Sequence, residues 1–258
     1  MRLVLTNDDG IAAPGLLALA EALIEFGTID IIAPEHERSA TSHSLSLREP
    51  VILRKVQGIF PKGVTANAAT GTPADCMKIA LLSYCSPPDV VVCGINPGSN
   101  VSTDIIYSGT VAAAFEAALL GIPALAISLN DAKDGVYHFE TAAAVAKKLI
   151  EKINFQALPK ETVLNVNVPN VPLSEIKGYR ATHLGQTKFH ERYIRRTDPR
   201  GNDYFWINGV MLPGDDDENS DYLALTENFI SLTPLHCDLT NREAAQKSDT
   251  WLKGLMGE

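Results

Sequence analysis

Short apolar runs and stretches with helical spacing alternate along the chain as far as about residue 178. Leu3-Val4-Leu5-Thr6 reads as a strand, and Pro14 to Phe26 follows with Leu16, Leu17, Leu19, Ala20, Leu23 and Ile24 on one helical face before Gly27. Ile29 to Pro34 is a second strand, and it delivers a polar loop, Glu35 to Ser46, rich in Ser and His. Thr72-Pro73-Ala74-Asp75 combines a capping residue, Pro at the first helical position and an acid in the first turn, which predicts a helix from Pro73 to Ser83. Asp89 to Ile95 reads as a buried strand. Ser108-Gly109-Thr110 then opens a helix whose body runs from Val111 to Leu120 and stops at Gly121. Pro123 to Leu129 is a strand, Phe139 to Ile153 a helix and Val163 to Val168 a strand. Strands alternating with helices predict an α/β fold with a mainly parallel, doubly wound sheet.

The rhythm changes after Gly178. Residues 186 to 209 mix aromatic, β-branched and charged types around Asp198-Pro199-Arg200-Gly201, the pattern of a hairpin with a tight turn. An isolated hairpin is marginal in water, so this arm is expected to pack on another part of the protein or on another subunit. Asp215-Asp216-Asp217-Glu218 reads as solvated surface, Tyr222 to Leu225 and Phe229 to Leu232 as strands, and Asn241 to Leu255 as a closing helix.

Composition narrows the class. Hydrophobic residues at 45% and charged residues at 21% of 258 are those of a globular protein with a substantial core. A formal net charge of -9 argues against a DNA-binding protein, while leaving room for one basic pocket that holds a phosphorylated small molecule. No apolar run approaches the roughly 18 to 20 residues that span a bilayer. Met1-Arg2 lead straight into a strand without a signal-peptide h-region, so the expected location is cytoplasmic, with no membrane partner. Cys76, Cys85, Cys93 and Cys237 lack CxxC spacing and read as reduced thiols.

Candidate chemistry gathers where open α/β sheets bind ligands, outside the carboxyl ends of the strands. Asp8 and Asp9 end the first strand, and their mutual repulsion is relieved most simply by a hard divalent cation. The alternative is a helix cap, which needs only one Asp. Ser39 with Ser42 and His43, and Asn96 with Asn100, leave the ends of two further strands. Together these loops offer an all-oxygen site suited to magnesium, manganese or calcium. Tyr107-Ser108-Gly109-Thr110 places a glycine before helical N–H groups, which serves either an anion or an ordinary N-cap. His138, His183 and His190 have no metal spacing. His236 follows a strand-like run and is suited either to protonating a leaving alkoxide or to a structural role.

Leu5-Thr6-Asn7-Asp8-Asp9-Gly10, Ala33-Pro34 with Arg38-Ser39, Gly71-Thr72-Pro73-Ala74-Asp75-Cys76, Gly94-Ile95-Asn96-Pro97-Gly98-Ser99-Asn100, Tyr107-Ser108-Gly109-Thr110-Val111-Ala112-Ala113-Ala114 and Thr233-Pro234-Leu235 resemble, in sequence and order, the SurE survival-protein family. The resemblance implies a Rossmann-like three-layer core of about residues 1–180 in a single 1–258 domain. A C-terminal hairpin and oligomerisation region, about 181–258, would be exchanged within a homodimer that can pair into a homotetramer. It further implies metal-dependent hydrolysis of nucleoside 5′-monophosphates and 3′-monophosphates, with one divalent cation per subunit, Mg2+ or Mn2+. Asp8 and Asp9 are then catalytic; Asp8, Asp9, Ser39 and Asn96 hold the metal; Asn96, Ser108, Gly109 and Thr110 meet the phosphate; His43 and Asn100 lie near. A broader phosphomonoesterase or exopolyphosphatase is the neighbouring reading.

The chain departs from the family pattern at Ala40-Thr41, Ser102 and Glu227-Asn228, where glycine is usual. Two readings from other classes fit less well. A haloacid-dehalogenase-like phosphatase needs Asp-x-Asp, whereas these carboxylates are adjacent. A nucleotide-binding sensor with a dinucleotide fingerprint needs GxGxxG after the first strand, which is missing.

Overall fold

The computed structural model describes residues 1–132, 135–186, 188–212 and 217–256. Among these residues nine strands form one sheet: β1 (Arg2–Thr6), β2 (Thr28–Pro34), β3 (Leu53–Val56), β4 (Val64–Ala69), β5 (Val90–Pro97), β6 (Ala124–Leu129), β7 (Thr162–Val168), β8 (Gly178–Ala181) and β11 (Phe229–His236), in the order β3-β4-β2-β1-β5-β6-β7-β11-β8. The six strands from β4 to β7 run parallel, while β3 and β11 each pair antiparallel at the flanks.

Two layers of helix cover this sheet because its strands are apolar on both faces. Leu3 and Leu5 of β1, Val90 and Val92 of β5 and Leu125 and Ile127 of β6 point to one side, against α1 (Pro14–Leu23) and α4 (Phe139–Lys152). Val4, Val91, Cys93 and Ala126, the intervening residues, point to the other, against α2 (Pro73–Ile79) and α3 (Gly109–Leu119). Each large aliphatic side chain so buried contributes about 1.5–3 kcal/mol. The α3 face of that layer is almost entirely alanine, which brings the helix close to the sheet.

Local signals account for the element starts. Thr72 and Asp75 form the expected reciprocal cap on α2, with Asp75 N–H donating to Thr72 Oγ1 at 3.1 Å and Thr72 N–H donating to Asp75 Oδ2 at 2.9 Å. This helix ends in a π-turn over Ala80–Tyr84. The hairpin is present as β9 (Lys188–Thr197) and β10 (Asp203–Leu212), closed where Asp198 Oδ1 accepts from the N–H groups of Arg200 and Asn202.

Two expectations are corrected. Tyr222–Leu225 is not a strand but lies in α5 (Asp221–Thr226), capped by Ser220 Oγ, which accepts from Leu223 N–H at 3.1 Å. The closing helix is broken into α6 (Arg242–Gln246) and α7 (Ser248–Met256), where Ser248 Oγ donates back to the Ala245 carbonyl. Strands β3, β4 and β8 escape the sequence pattern because their residues are small or charged.

All four cysteines are free, with Cys76 and Cys93 buried. His138 and His183 pair with Glu140 and Asp217 at the surface. The side chains of His190, Asp215 and Asp216 lie outside the described residues. Among the described residues no helix is long and apolar enough to cross a membrane.

Candidate functional site

Strand β1 lies between β2 and β5, so the turns at the ends of these three neighbours open onto one sheet edge. There they form a cleft of about 400 Å³. Asp8, Asp9, Ser39, Asn96, Asn100 and Ser108 all line it.

Asp8 is held most firmly. It is buried, and Thr110 Oγ1 donates to its Oδ1 at 2.5 Å. The backbone of Gly109 and Thr110 also pulls its carboxyl down, against the effect of burial. The N-terminus of α3 therefore supports the carboxylate with donors and with the positive end of its dipole. Glycine at 109 is required by the close approach: a Cβ there would sit 2.8 Å from Asp8 Cβ. Ser108 caps the same helix, its Oγ accepting from Val111 N–H at 3.1 Å, and still faces the cleft. The cap and the ligand-facing position are thus compatible.

Asp9 is the less satisfied of the pair. Its Oδ2 is buried without a hydrogen-bond partner among the described residues. Burial, followed by the negative charges of Asp8 and Glu37, pushes its carboxyl up to about 8. Burial also raises Asp8, against the pull of its Thr110 and Gly109 donors. An unpartnered carboxylate oxygen beside two further carboxylates is the electrostatic setting that a cation relieves.

The neutral donors complete the ring. Asn96 donates through Nδ2 to the Gly98 carbonyl at 2.6 Å, which leaves its Oδ1 as an acceptor. Ser39 Oγ donates to Glu37 Oε1 at 2.7 Å. Arg38 N–H anchors this loop on the Asp8 carbonyl at 2.7 Å. Among the described residues no three His, Cys, Asp or Glu side chains gather as a metal cluster. The available set is two carboxylates with hydroxyl and amide oxygens, which suits a hard cation and fits the expected group.

Asn100 has a different task. Its Nδ2 donates to Ser128 Oγ at 2.7 Å, deep in the protein. Asn167 grips its backbone from both sides, accepting from Asn100 N–H at 2.8 Å and donating to Asn100 C=O at 3.0 Å, while Asn165 donates to the same carbonyl at 2.9 Å. Next along, Ser102 N–H is held by the buried Asp221 at 3.0 Å. This network fixes the far end of the Asn96–Asn100 loop. Sequence reading missed Asn165 and Asn167, although two asparagines on the same face of a buried strand were a visible signal. Glu37 and Asp104 of the cleft wall were missed as well.

His43 is not in the cleft. It bonds the buried Glu116 at 2.9 Å and lines a neighbouring cavity with His236.

A model of the family described as survival protein SurE matches residues 3–191. A protein from Methylococcus capsulatus (strain Bath) named 5′-nucleotidase SurE is 45% identical over 255 residues, covering 98% of both chains. Another of that name, from Carboxydothermus hydrogenoformans, is 42% identical over 261 residues, covering 100% of this chain and 98% of its own. Among solved structures, the SurE protein of Aquifex aeolicus superposes with a TM-score of 0.83 at 37% identity, covering 98% of this chain and 100% of its own.

Proposed function

The chain belongs to the survival protein SurE family, and from that premise we propose that it hydrolyses nucleoside 5′-monophosphates, and 3′-monophosphates, to nucleoside and phosphate. The carrying observation is the pair of buried Asp8 and half-buried Asp9, with one buried Asp9 oxygen unpartnered among the described residues, at an edge lined by further oxygen donors. Asp8, Asp9, Ser39 and Asn96 would hold one divalent cation, Mg2+ or Mn2+. When bound, such a cation supplies Lewis acidity to a phosphoryl oxygen and lowers the pKa of a coordinated water.

The protein's own part is positioning. Thr110 and the N-terminus of α3 fix Asp8 in one rotamer, and their donors oppose the rise that burial imposes on its carboxyl. Asn96 and Ser108, which line the cleft, receive the phosphate at the positive end of that helix, where developing charge on the phosphoryl oxygens is stabilised without reorganisation, while Gly109 and Thr110, expected to meet it too, are turned to Asp8 behind it. The Asn100 anchor keeps Asn96 in register with the Asp pair. The hairpin exposes Tyr193, Tyr204, Phe205, Trp206 and Ile207, which supports a homodimer built by exchange of this arm, and a homotetramer beyond it.

Stripping divalent metal with a chelator is expected to reduce phosphate release from AMP to background, and added Mn2+ or Mg2+ to restore it. Equal release with and without metal would overturn the metal role, and no release from any nucleoside monophosphate with metal supplied would overturn the function.

A further inference from the structure

A second cavity of about 250 Å³ adjoins the cleft. Ser108 lines both. The seam between them is tied by Ser42, whose N–H donates to the Tyr107 carbonyl at 3.1 Å and whose Oγ donates to the Ile106 carbonyl at 2.7 Å. Ile105, Ile106 and Phe115 supply apolar wall, Leu239 an apolar rim, and His43 and His236 polar edges.

Hydrogen bonding fixes what each imidazole offers. The Glu116 carboxylate accepts from His43 Nε2 at 2.9 Å and from Lys78 Nζ at 3.0 Å. In the neutral ring this leaves His43 Nδ1 as an acceptor. His236 Nδ1 accepts the Asp238 N–H at 3.1 Å, so its ring proton resides on Nε2, a donor. The cavity therefore combines apolar walls with one fixed donor, His236 Nε2, and a second imidazole edge held in place by Glu116. An aromatic base has the same character, with apolar faces and a hydrogen-bonding edge. The volume falls below the roughly 300–1,000 Å³ of pockets for drug-sized ligands, which suits a single base.

We propose that this cavity is the nucleobase subsite, with the phosphate in the cleft and the sugar passing Ser108. The proposal rests on the nucleotidase reading and adds where the enzyme distinguishes nucleotides from other phosphomonoesters. Ile106 and Leu239 are 62% and 94% exposed, so polar substitutions there spare the core.

The test compares kcat/KM for AMP with that for ribose 5-phosphate, which has no base, in wild type, Ile106→Ser and His236→Ala, together with calorimetric binding of adenosine. The expected result is that each variant lowers the AMP to ribose 5-phosphate ratio by about tenfold, the usual scale for losing part of an apolar pocket, and weakens adenosine binding alike. An unchanged ratio with unchanged adenosine binding overturns the subsite. If wild type hydrolyses neither ester, the nucleotidase reading falls. Adenosine binding then still decides the subsite, supporting it if weakened in the variants and overturning it if not.

Discussion

Asp9 shows how one residue can be poorly placed for folding and well placed for chemistry. Its carboxyl is raised to about 8 by burial and by Asp8 and Glu37, whereas in an unfolded chain it titrates near about 4. The folded chain thus holds a proton that the unfolded chain has released. Metal-free stability is greatest below the unfolded value and falls as pH rises towards about 8. Asp9→Asn removes its share of this dependence and the repulsion with Asp8. Thermal melts of chelated protein should show wild type losing more stability between about pH 5 and pH 8 than Asp9→Asn, whose remaining slope belongs to Asp8, also raised by burial. Parallel curves would show that Asp9 is not held as described.

The three departures from the family's glycines also belong to this scale. Ala40, Ser102 and Asn228 have φ of 56°, 51° and 64°, a left-handed backbone that glycine adopts freely and other residues at a cost. The turn shapes usual for glycine are therefore kept with other residues in place, including beside Ser39.

At the scale of elements, the sequence was most legible where local chemistry and burial agreed. The α2 cap, the α3 start and the apolar runs of β1, β5 and β6 were all readable because a strand apolar on both faces must be buried between layers. α5 was misread because Tyr222 to Leu225 has strand-like residues, whereas Ser220 and Asp221 form a helix start whose partners, Ser102 and Gly185, are remote in sequence. The Asn100 anchor was hidden for the same reason. Asn167→Ala removes both contacts to the Asn100 backbone, and leaving buried polar groups unpaired costs about 1–3 kcal/mol. Urea denaturation should report that loss, and kcat/KM for AMP should fall with it as the Asn96 loop loosens. Unchanged stability and rate would show that the loop is held by other means.

For the whole molecule, strand order is decisive. The oxygen donors at residues 8–9, 39 and 96 are far apart in the chain and meet only because β1 sits between β2 and β5. Alternating strands and helices made that edge foreseeable, since crossovers in parallel sheets have one hand and ligands bind at strand ends. What they did not reveal was how the edge is divided: Gly109 and Thr110 serve Asp8 directly, and His43 belongs to the neighbouring cavity. The cleft therefore works as a unit around Asp8, its most firmly held carboxylate. The most direct measurement is phosphate release from AMP by Asp8→Asn and wild type at saturating Mn2+, with circular dichroism confirming the fold. A fall of at least about a hundredfold, as expected for removing a central charge-stabilising group, is the predicted result; a rate within about twofold of wild type, well inside the effect of such a group, would contradict it.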